Sequence, residues 1–200
     1  MSVKHFRVIK PEIRVVGVDD GKHVFRSKTQ VPVVGVVYKG GLWFEGVMST
    51  MVWVDGFDVT EKVAEMILAS PHYKQLRVIM LNGLTFAGFN VLDIVELNKV
   101  TKVPVIALTK DEPNLESIRS ALSNLDHAEE RYNTLLKAGE IVHVQNNRTK
   151  IFMQTAGLYC DDAQKIVALT STRSSIPEPL RVAHLIASGT SFVNKKLDKV

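Results

Sequence analysis

The chain has 200 residues, of which 46% are hydrophobic and 23% charged, a composition that excludes a disordered chain. No apolar run approaches the roughly 18 residues of a membrane span, and the single cysteine, Cys160, excludes an internal disulfide framework. The net charge of +4 permits a polyanionic partner but does not demand one. We therefore expect one cytoplasmic domain over residues 1–200, with an ordered core at about 10–189 and no membrane association.

The first half of the chain alternates between strand and helix patterns. Residues 13–18 form a β-branched run, and Gly40-Gly41 joins two further runs, 31–38 and 42–54, into a predicted hairpin. A helix from Thr60 to Ser70, a strand at 76–81, a helix capped by Asn90 and a strand at 104–108 follow. Crossovers through helices require parallel neighbours, whereas the opening strands are antiparallel.

The second half predicts helices around a hairpin. Two polar-faced helices over 113–138 end at Gly139, and a hairpin joins 141–144 to 150–155 through residues 146–148. Asp161 is expected to cap a helix to about residue 169. A last helix over 177–188 is expected to end at Gly189 before a frayed tail.

Several common kinds of chemical site are excluded. The six histidines form no zinc-binding pattern, and no nearby base is evident for Cys160. Residues 83–88 have the glycine spacing of a P-loop, but Phe89-Asn90 replaces the required Lys-Ser/Thr, and no dinucleotide fingerprint follows a strand.

Polar side chains at strand ends are the remaining candidates. Asp19 closes the first strand, Asn82 closes the fourth, and Glu61 stands at the entrance to the first helix. The carboxyl ends of parallel strands meet in one crevice, where oxygen ligands suit Mg²⁺. Local alternatives remain open, because Asp19-Asp20-Gly21 and Asn82-Gly83 are also turn sequences, and Asp58 with Glu61 has capping-box spacing.

Longer segments of the chain resemble an archaeal, poorly characterised family related to endonuclease V, the endonuclease dU family. The resemblance covers about residues 10–189 and rests on residues 16–21, 35–41, 70–81, 82–90 and 171–184. It implies an α/β, ribonuclease H-like mixed sheet, with three antiparallel strands, then parallel strands with crossover helices, and a C-terminal hairpin and helices.

The resemblance also implies a divalent-metal-dependent endonuclease that uses Mg²⁺ or Mn²⁺ and acts on nucleic acid. Asp19, Glu61 and Asn82 would be metal ligands and catalytic residues, with Asp20 as a further candidate ligand, and Lys110 would steady the scissile phosphate or the water. The 21-residue spacing between Glu61 and position 82 favours the metal interpretation over the capping interpretation.

Three departures from endonuclease V bear on its activity. Asn82 stands where aspartate is expected, which lowers the affinity for a divalent ion unless a neighbour such as Asp20 or Asp93 compensates. Residues 48–52 replace a Pro-Tyr-Ile-Pro wedge, and Leu158 follows Gly157 where a histidine is usual.

Other residues are candidates for contact with nucleic acid. Phe86 is predicted to stack on an extruded base whose edge Asn90 hydrogen-bonds, with Thr85 beside them, unless Phe86 packs under the loop and Asn90 only caps a helix. Phosphate contacts are predicted for Ser171, Thr172, Arg173 and Arg181, with a polar loop or a structural ion pair as alternatives. His184 shares a helical face with Arg181.

Trp43 and Trp53 are ten residues apart on one strand, so alternation predicts that both face the core or a homodimer contact. The leading functional hypothesis is an endonuclease that cleaves near a deaminated or modified base. The alternatives are a nuclease-derived protein that binds nucleic acid without cutting it, favoured by Asn82, and an interaction scaffold.

Overall fold

A mixed seven-stranded sheet organises the protein in the computed structural model, which describes residues 3–24, 27–146 and 149–197, with side chains to 191. The strands are β1 (Arg14–Asp20), β2 (Gln30–Lys39), β3 (Trp43–Trp53), β4 (Val78–Asn82), β5 (Thr85–Phe86), β6 (Asn90–Val91), β7 (Val105–Thr109), β8 (Val142–Asn146) and β9 (Thr149–Ala156). Their order in the large sheet is β3-β2-β1-β4-β7-β9-β8, and β5 pairs with β6 separately.

Helices cover both faces of this sheet. They are α1 (Val59–Leu68), α2 (Ile94–Thr101), α3 (Leu115–Leu122), α4 (Ala128–Lys137), α5 (Cys160–Thr170) and α6 (Glu178–Leu197). Helices α1 to α4 contribute to the core on one face, and α5 and α6 to the core on the other. The central strands are therefore buried on both sides, which explains their continuous apolar runs.

The pairing directions confirm the predicted fold class. Strands β1, β2 and β3 are antiparallel, whereas β1, β4 and β7 are parallel and are joined through α1 and α2. The predicted hairpin is also present as β8 and β9, although residues 147 and 148 of its turn lie outside the described residues. This order is that of a ribonuclease H-like sheet.

Three predicted helix ends are wrong. Asp93, not Asn90, caps α2, because its carboxylate accepts hydrogen bonds from the backbone N–H groups of Val95 and Glu96, each at 2.9 Å. Helix α5 begins at Cys160 without a side-chain cap, so Asp161 lies inside its first turn. Helix α6 continues through Gly189 to Leu197, since one glycine costs only about 1 kcal/mol in a helix that is anchored by packing.

The expected shared face of Trp43 and Trp53 is wrong as well. The pairing of β2 with β3 shifts register between Val37 and Tyr38. Glu45 of β3 has no residue opposite it on β2 and forms a β-bulge there. Trp43 and Trp53 lie opposite Lys39 and Gln30, which are nine residues apart on β2. An odd separation on a regular strand corresponds to opposite faces of the sheet.

Within the residues that the structure describes, no helix is long and apolar enough to cross a membrane.

Candidate active site

The candidate site lies at the carboxyl ends of β1 and β4. Val18 of β1 pairs with Leu81 of β4 in parallel register, which places the next residues, Asp19 and Asn82, side by side. Asp19 is buried at 2% exposure, whereas Asn82 is exposed. The predicted approach of these two positions is therefore present in the structure.

Helix α6 adds His184 to this pair. The imidazole Nδ1 lies 2.8 Å from Asp19 Oδ2, and the imidazole is 60% exposed. Gly17 makes this approach possible, because a Cβ at that position would lie 2.3 Å from the carbonyl carbon of Pro179 in the first turn of α6. The missing side chain in β1 lets α6 contact the strand backbone and brings His184 over Asp19.

Burial dominates the electrostatics of the two neighbouring carboxylates. It raises the pKa of Asp19, while hydrogen bonds from Asn82, His184 and the backbone N–H of Asp20 act in the opposite direction. Burial, together with the negative charge of Asp19, raises the pKa of Asp20 to about 6, although the backbone N–H of Ala87 donates to Asp20 Oδ2 at 2.7 Å and lowers it. The pKa values of both groups are raised because the hydrogen bonds and positive charges around them do not offset the cost of burying a negative charge.

A groove of about 620 Å³ opens beside this cluster. Asn82, His184, Lys110 and Arg181 line it, together with Asp111 and Glu112. Its walls come from the carboxyl ends of β4 and β7, from the segment before α6 and from α6 itself. The structure therefore brings four charged or polar candidates together, although they are far apart in sequence.

Arg181 is held in place by a buried carboxylate. Its Nε and Nη2 atoms donate to Glu178 at 2.7–3.2 Å, and Glu178 is only 2% exposed. This arrangement matches the alternative in which Arg181 holds a structural carboxylate. Since Arg181 also lines the groove, the ion pair holds its guanidinium at the groove wall.

Glu61 is not brought to Asp19 by any described contact. It is exposed in the first turn of α1, and no cluster of three or more His, Cys, Asp or Glu residues suited to a metal occurs in the described part of the chain. The capping-box alternative is absent too, because Asp58 makes no side-chain cap and instead accepts a 2.7 Å hydrogen bond from Asn90 Nδ2.

The predicted roles of Phe86 and Asn90 in base recognition do not match this structure. Both residues are 0% exposed, and Phe86 packs in the core beside α1 and α2. Asn90 Oδ1 accepts from the backbone N–H of Val59, and Nδ2 donates to Trp53 O and Asp58 Oδ1. Asn90 therefore holds the start of α1 and has no free polar atom for a base, whereas Thr85 is half-buried and lines a small cavity.

The segment before α6 divides into structural and accessible residues. Ser171 is buried, donates to Val167 O at 2.7 Å and accepts from Asn146 Nδ2 at 2.8 Å. Thr172 Oγ1 donates to Gly41 O at 3.0 Å, while Arg173 is exposed. Thr172 and Arg173 are thus both accessible to solvent, and Arg173 lines a small pocket with Arg181.

Comparison with known proteins decides the family. The model of the family described as Endonuclease dU matches residues 11–191. This chain belongs to the endonuclease dU family. A UPF0215 protein from Methanothermobacter thermautotrophicus is 49% identical over 193 residues, which cover 96% of this chain and 94% of that protein. A UPF0215 protein from Pyrococcus horikoshii is 38% identical, with coverage of 96% and 99%.

Solved structures agree with this assignment. A protein of unknown function from Archaeoglobus fulgidus superimposes with a TM-score of 0.81 at 35% identity, covering 89% of this chain and 98% of that chain. Endonuclease V from Bacillus subtilis has the same fold, with a TM-score of 0.66 at 12% identity and coverage of 97% and 88%. Membership of the endonuclease dU family and an endonuclease V fold together support a nuclease-type function.

Sequence reasoning named His184 only as a residue that could reach the nucleic acid beside Arg181, and it missed both the contact of His184 with Asp19 and the burial of Arg131. His184 gives no local signal, because it meets Asp19 across 165 residues of sequence, and only its shared helical face with Arg181 was visible. Arg131 is 4% exposed and donates to the backbone carbonyls of Asp55, Gly56 and Phe89, which ties the loop before α1 to the segment after β5. A charged residue in a polar helix sequence is normally assigned to the surface.

Proposed function

We propose that this endonuclease dU family member is a divalent-metal-dependent endonuclease that hydrolyses a phosphodiester near a deaminated or otherwise modified base. The observation that carries the proposal is the cluster of Asp19, Asn82 and His184 at the end of a groove lined by Lys110 and Arg181. The cluster provides oxygen and nitrogen donors, and the groove provides cations for a phosphate backbone.

The donor set fits a divalent cation. Asp19 is buried and Asp20 half-buried, burial raises the pKa of both carboxyl groups, and the charge of Asp19 adds to the shift of Asp20. A cation beside them would remove that unfavourable electrostatic energy. Asp19 and the amide oxygen of Asn82 would hold Mg²⁺ or Mn²⁺, with Asp20 and Glu61 as the further candidate ligands. A bound ion would activate the attacking water and neutralise charge that develops on the phosphate.

The protein's own residues have separate roles in this reaction. Asp19 engages Nδ1 of His184, so Nε2 is the ring nitrogen left to hold or release a proton in the groove. Lys110 and Arg181 orient the phosphate, and Arg173 contacts the adjoining backbone. As the oxygen of water bonds to phosphorus, the bond to the 3′ oxygen breaks and leaves a 3′ hydroxyl and a 5′ phosphate.

The names of the relatives support the proposed substrate class. The family description refers to endonuclease dU, and endonuclease V from Ciona intestinalis, with a TM-score of 0.58 at 15% identity, was solved with a DNA that contains inosine. In this chain Thr85 lines an apolar cavity of about 110 Å³, which shares Thr109 and Pro113 with the groove. Thr85 thus remains a candidate contact for a base beside the scissile phosphate.

Cleavage assays on single- and double-stranded oligonucleotides with one uracil or inosine, in Mg²⁺ or Mn²⁺, test the proposal. We expect wild type to cleave, Asn82→Asp to cleave at least about ten times faster through the added ligand charge, and Asp19→Asn to lose activity. Asn124→Asp, which adds the same charge at an exposed site on another surface, is the matched control and should behave as wild type. No cleavage by either wild type or Asn82→Asp would refute the enzymatic proposal.

Asn82 favours one second candidate, a nuclease-derived protein that binds nucleic acid without cutting it. An amide at position 82 removes a ligand charge next to Asp19. Salt-dependent binding of oligonucleotides, with no cleavage and no calorimetric signal for Mn²⁺, would select this candidate.

A further inference from the structure

Strand β3 forms an outer edge of the large sheet. It pairs with β2 on one side, and no other described strand pairs with it. The strand contains 11 residues, which corresponds to roughly 36 Å at about 3.3 Å per residue. Trp53 is already engaged, because its N–H donates to Asp58 and its C=O accepts from Asn90 Nδ2 and the N–H of Gly56. The outward-facing backbone N–H and C=O groups of residues 43–52 are open to pairing along this edge.

The side chains beside this edge form an apolar stripe. Phe44, Val47, Met51 and Trp53 lie opposite β2 residues Tyr38, Val36, Pro32 and Gln30, and Ser49, opposite Val34, is the one polar residue among them. These β2 residues alternate along a regular strand, so the four side chains share one face, and their exposure ranges from 39% to 52%. The bulge at Glu45 is what brings Phe44 onto this face.

Helix α6 leaves the stripe uncovered. It packs chiefly on β1 and β2, where Leu180, Ala183 and Ala187 join the core beneath it. Tyr38 of β2 is buried at 8% exposure, yet its edge-to-face neighbour Phe44, with ring centroids 5.9 Å apart, is 52% exposed. The apolar surface thus continues outward from the core past the last strand that the helix covers.

Apart from the bulge near its start, β3 lacks the usual protection of an edge strand. Trp43–Trp53 contains no lysine, arginine, proline or aspartate, and its one charged residue is Glu45. The Glu45 carboxylate is neutralised by Arg14, whose Nε and Nη2 donate to it at 2.6 Å and 3.0 Å. The eight residues of β3 that follow Glu45 carry no formal charge, so a second copy of the same strand meets no like-charge repulsion along them.

The exposed area is sufficient for a self-association surface. Pairing along an edge covers side chains on both faces of a strand, so Trp43 counts here although it lies on the face opposite the stripe. Aromatic side chains bury about 150–250 Å² each, so the exposed parts of Trp43, Phe44 and Trp53 offer at most roughly 400 Å². Leu42, Val47 and Met51 raise the figure to roughly 600 Å² per copy, or about 1,200 Å² for two copies. That value lies at the lower end of the range for stable interfaces, about 1,200–2,000 Å².

We propose that β3 is a homodimer interface in which two copies of this chain pair their β3 strands antiparallel about a twofold axis near the middle of the strand. Such an axis stands perpendicular to the sheet, so the two stripes lie on the same face of one continuous sheet. The interface is isologous, because each copy offers the same segment to the other. The proposal is independent of the proposed nuclease function, since β3 is separated from the groove by β2 and β1.

Sedimentation or light scattering at about 1–200 µM full-length protein, without nucleic acid, tests the interface. The average mass of wild type should rise with protein concentration from 22.3 kDa toward twice that mass. Val47→Lys adds a charge to the stripe, and its mass should stay at 22.3 kDa at every concentration. Leu136→Lys is the matched control, because Leu136 is 47% exposed on α4 and lies outside the stripe, and it should dimerise as wild type. Circular dichroism of each variant checks that it is folded.

Crosslinking provides a second readout that does not depend on destabilising the dimer. In a Cys160→Ser background, Ser49→Cys places a thiol near the proposed twofold axis and should yield a covalent dimer with a short bis-maleimide, whereas Ser123→Cys should not. Wild type that remains at 22.3 kDa at every concentration overturns the proposal. A folded Val47→Lys variant that dimerises as wild type also overturns it. The same holds if that variant still dimerises and loses only its binding of oligonucleotides, because the stripe would then serve nucleic acid and not a second copy.

Discussion

The pKa of Asp20 gives a quantitative prediction about stability. Its carboxyl group has a pKa of about 6 instead of the ordinary 3.8, chiefly because of burial. Since one pH unit corresponds to about 1.4 kcal/mol, the folded state would lose up to about 3 kcal/mol when this group ionises. The unfolded chain ionises near pH 4, so the free energy of unfolding falls as the pH rises from about 4 to about 6 and levels off above that.

Asp20→Asn removes this dependence while keeping an oxygen that can accept the hydrogen bond from the backbone N–H of Ala87. The free energy of unfolding of the variant, relative to wild type, should therefore increase between pH 4 and pH 7 by about 2–3 kcal/mol. This figure already includes the repulsion between Asp20 and Asp19, which contributes to the raised pKa of Asp20. A higher free energy of unfolding for Asp20→Asn at neutral pH would show that the charge on Asp20 destabilises the folded protein.

Urea unfolding followed by circular dichroism at pH 4, 5, 6, 7 and 8, with EDTA present to exclude bound metal, measures the difference. Asp161→Asn, at an exposed position in the first turn of α5, is the control and should show a much smaller change with pH. A difference between Asp20→Asn and wild type that stays constant over this range, or that decreases toward neutral pH, would refute the reasoning.

Three further substitutions test the interactions that hold the site. Arg131→Met should lower the free energy of unfolding by about 3–5 kcal/mol in urea, because it removes charged hydrogen bonds to buried backbone carbonyls. Gly17→Ala should reduce both the melting temperature and any cleavage activity, because its Cβ would lie 2.3 Å from the carbonyl carbon of Pro179 and force α6 away from β1. Glu61→Gln should weaken Mn²⁺ binding at least about tenfold by calorimetry if Glu61 is a metal ligand.

Each of these substitutions has a matched comparison. Arg119→Met removes an exposed arginine that pairs with Glu129 at 3.7 Å, and it should cost less than about 1 kcal/mol. Gly189→Ala is the control for Gly17→Ala, because an added Cβ at Gly189 has no neighbour within 4 Å, so the melting temperature should be unchanged or slightly higher. Gly139→Ala is unsuitable, because Gly139 has a φ of +83°. Glu65→Gln, one turn after Glu61 on α1, should leave Mn²⁺ binding unchanged.

The order of elements and the fold class were predictable from the sequence. The central strands are runs of β-branched residues that are buried on both faces, and their connections through helices force β1, β4 and β7 to be parallel. The same argument placed Asp19 beside Asn82, because both stand at the carboxyl ends of adjacent strands. These conclusions use only chain order, apolar patterning and the geometry of crossovers, all of which are local or topological.

The partners of individual side chains were decided by the tertiary structure. Asn90 looked like a local helix cap, yet it holds the start of α1 from 31 residues away. Phe86 looked available to a base but is buried in the core, and His184 meets Asp19 only because Gly17 admits α6 to the surface of β1. The bulge at Glu45 placed Trp43 and Trp53 on opposite faces of the sheet instead of the shared face that alternation predicted. Such contacts depend on which distant segments pack together. The period of apolar residues predicts the buried face of each element, but it does not predict which segment covers that face.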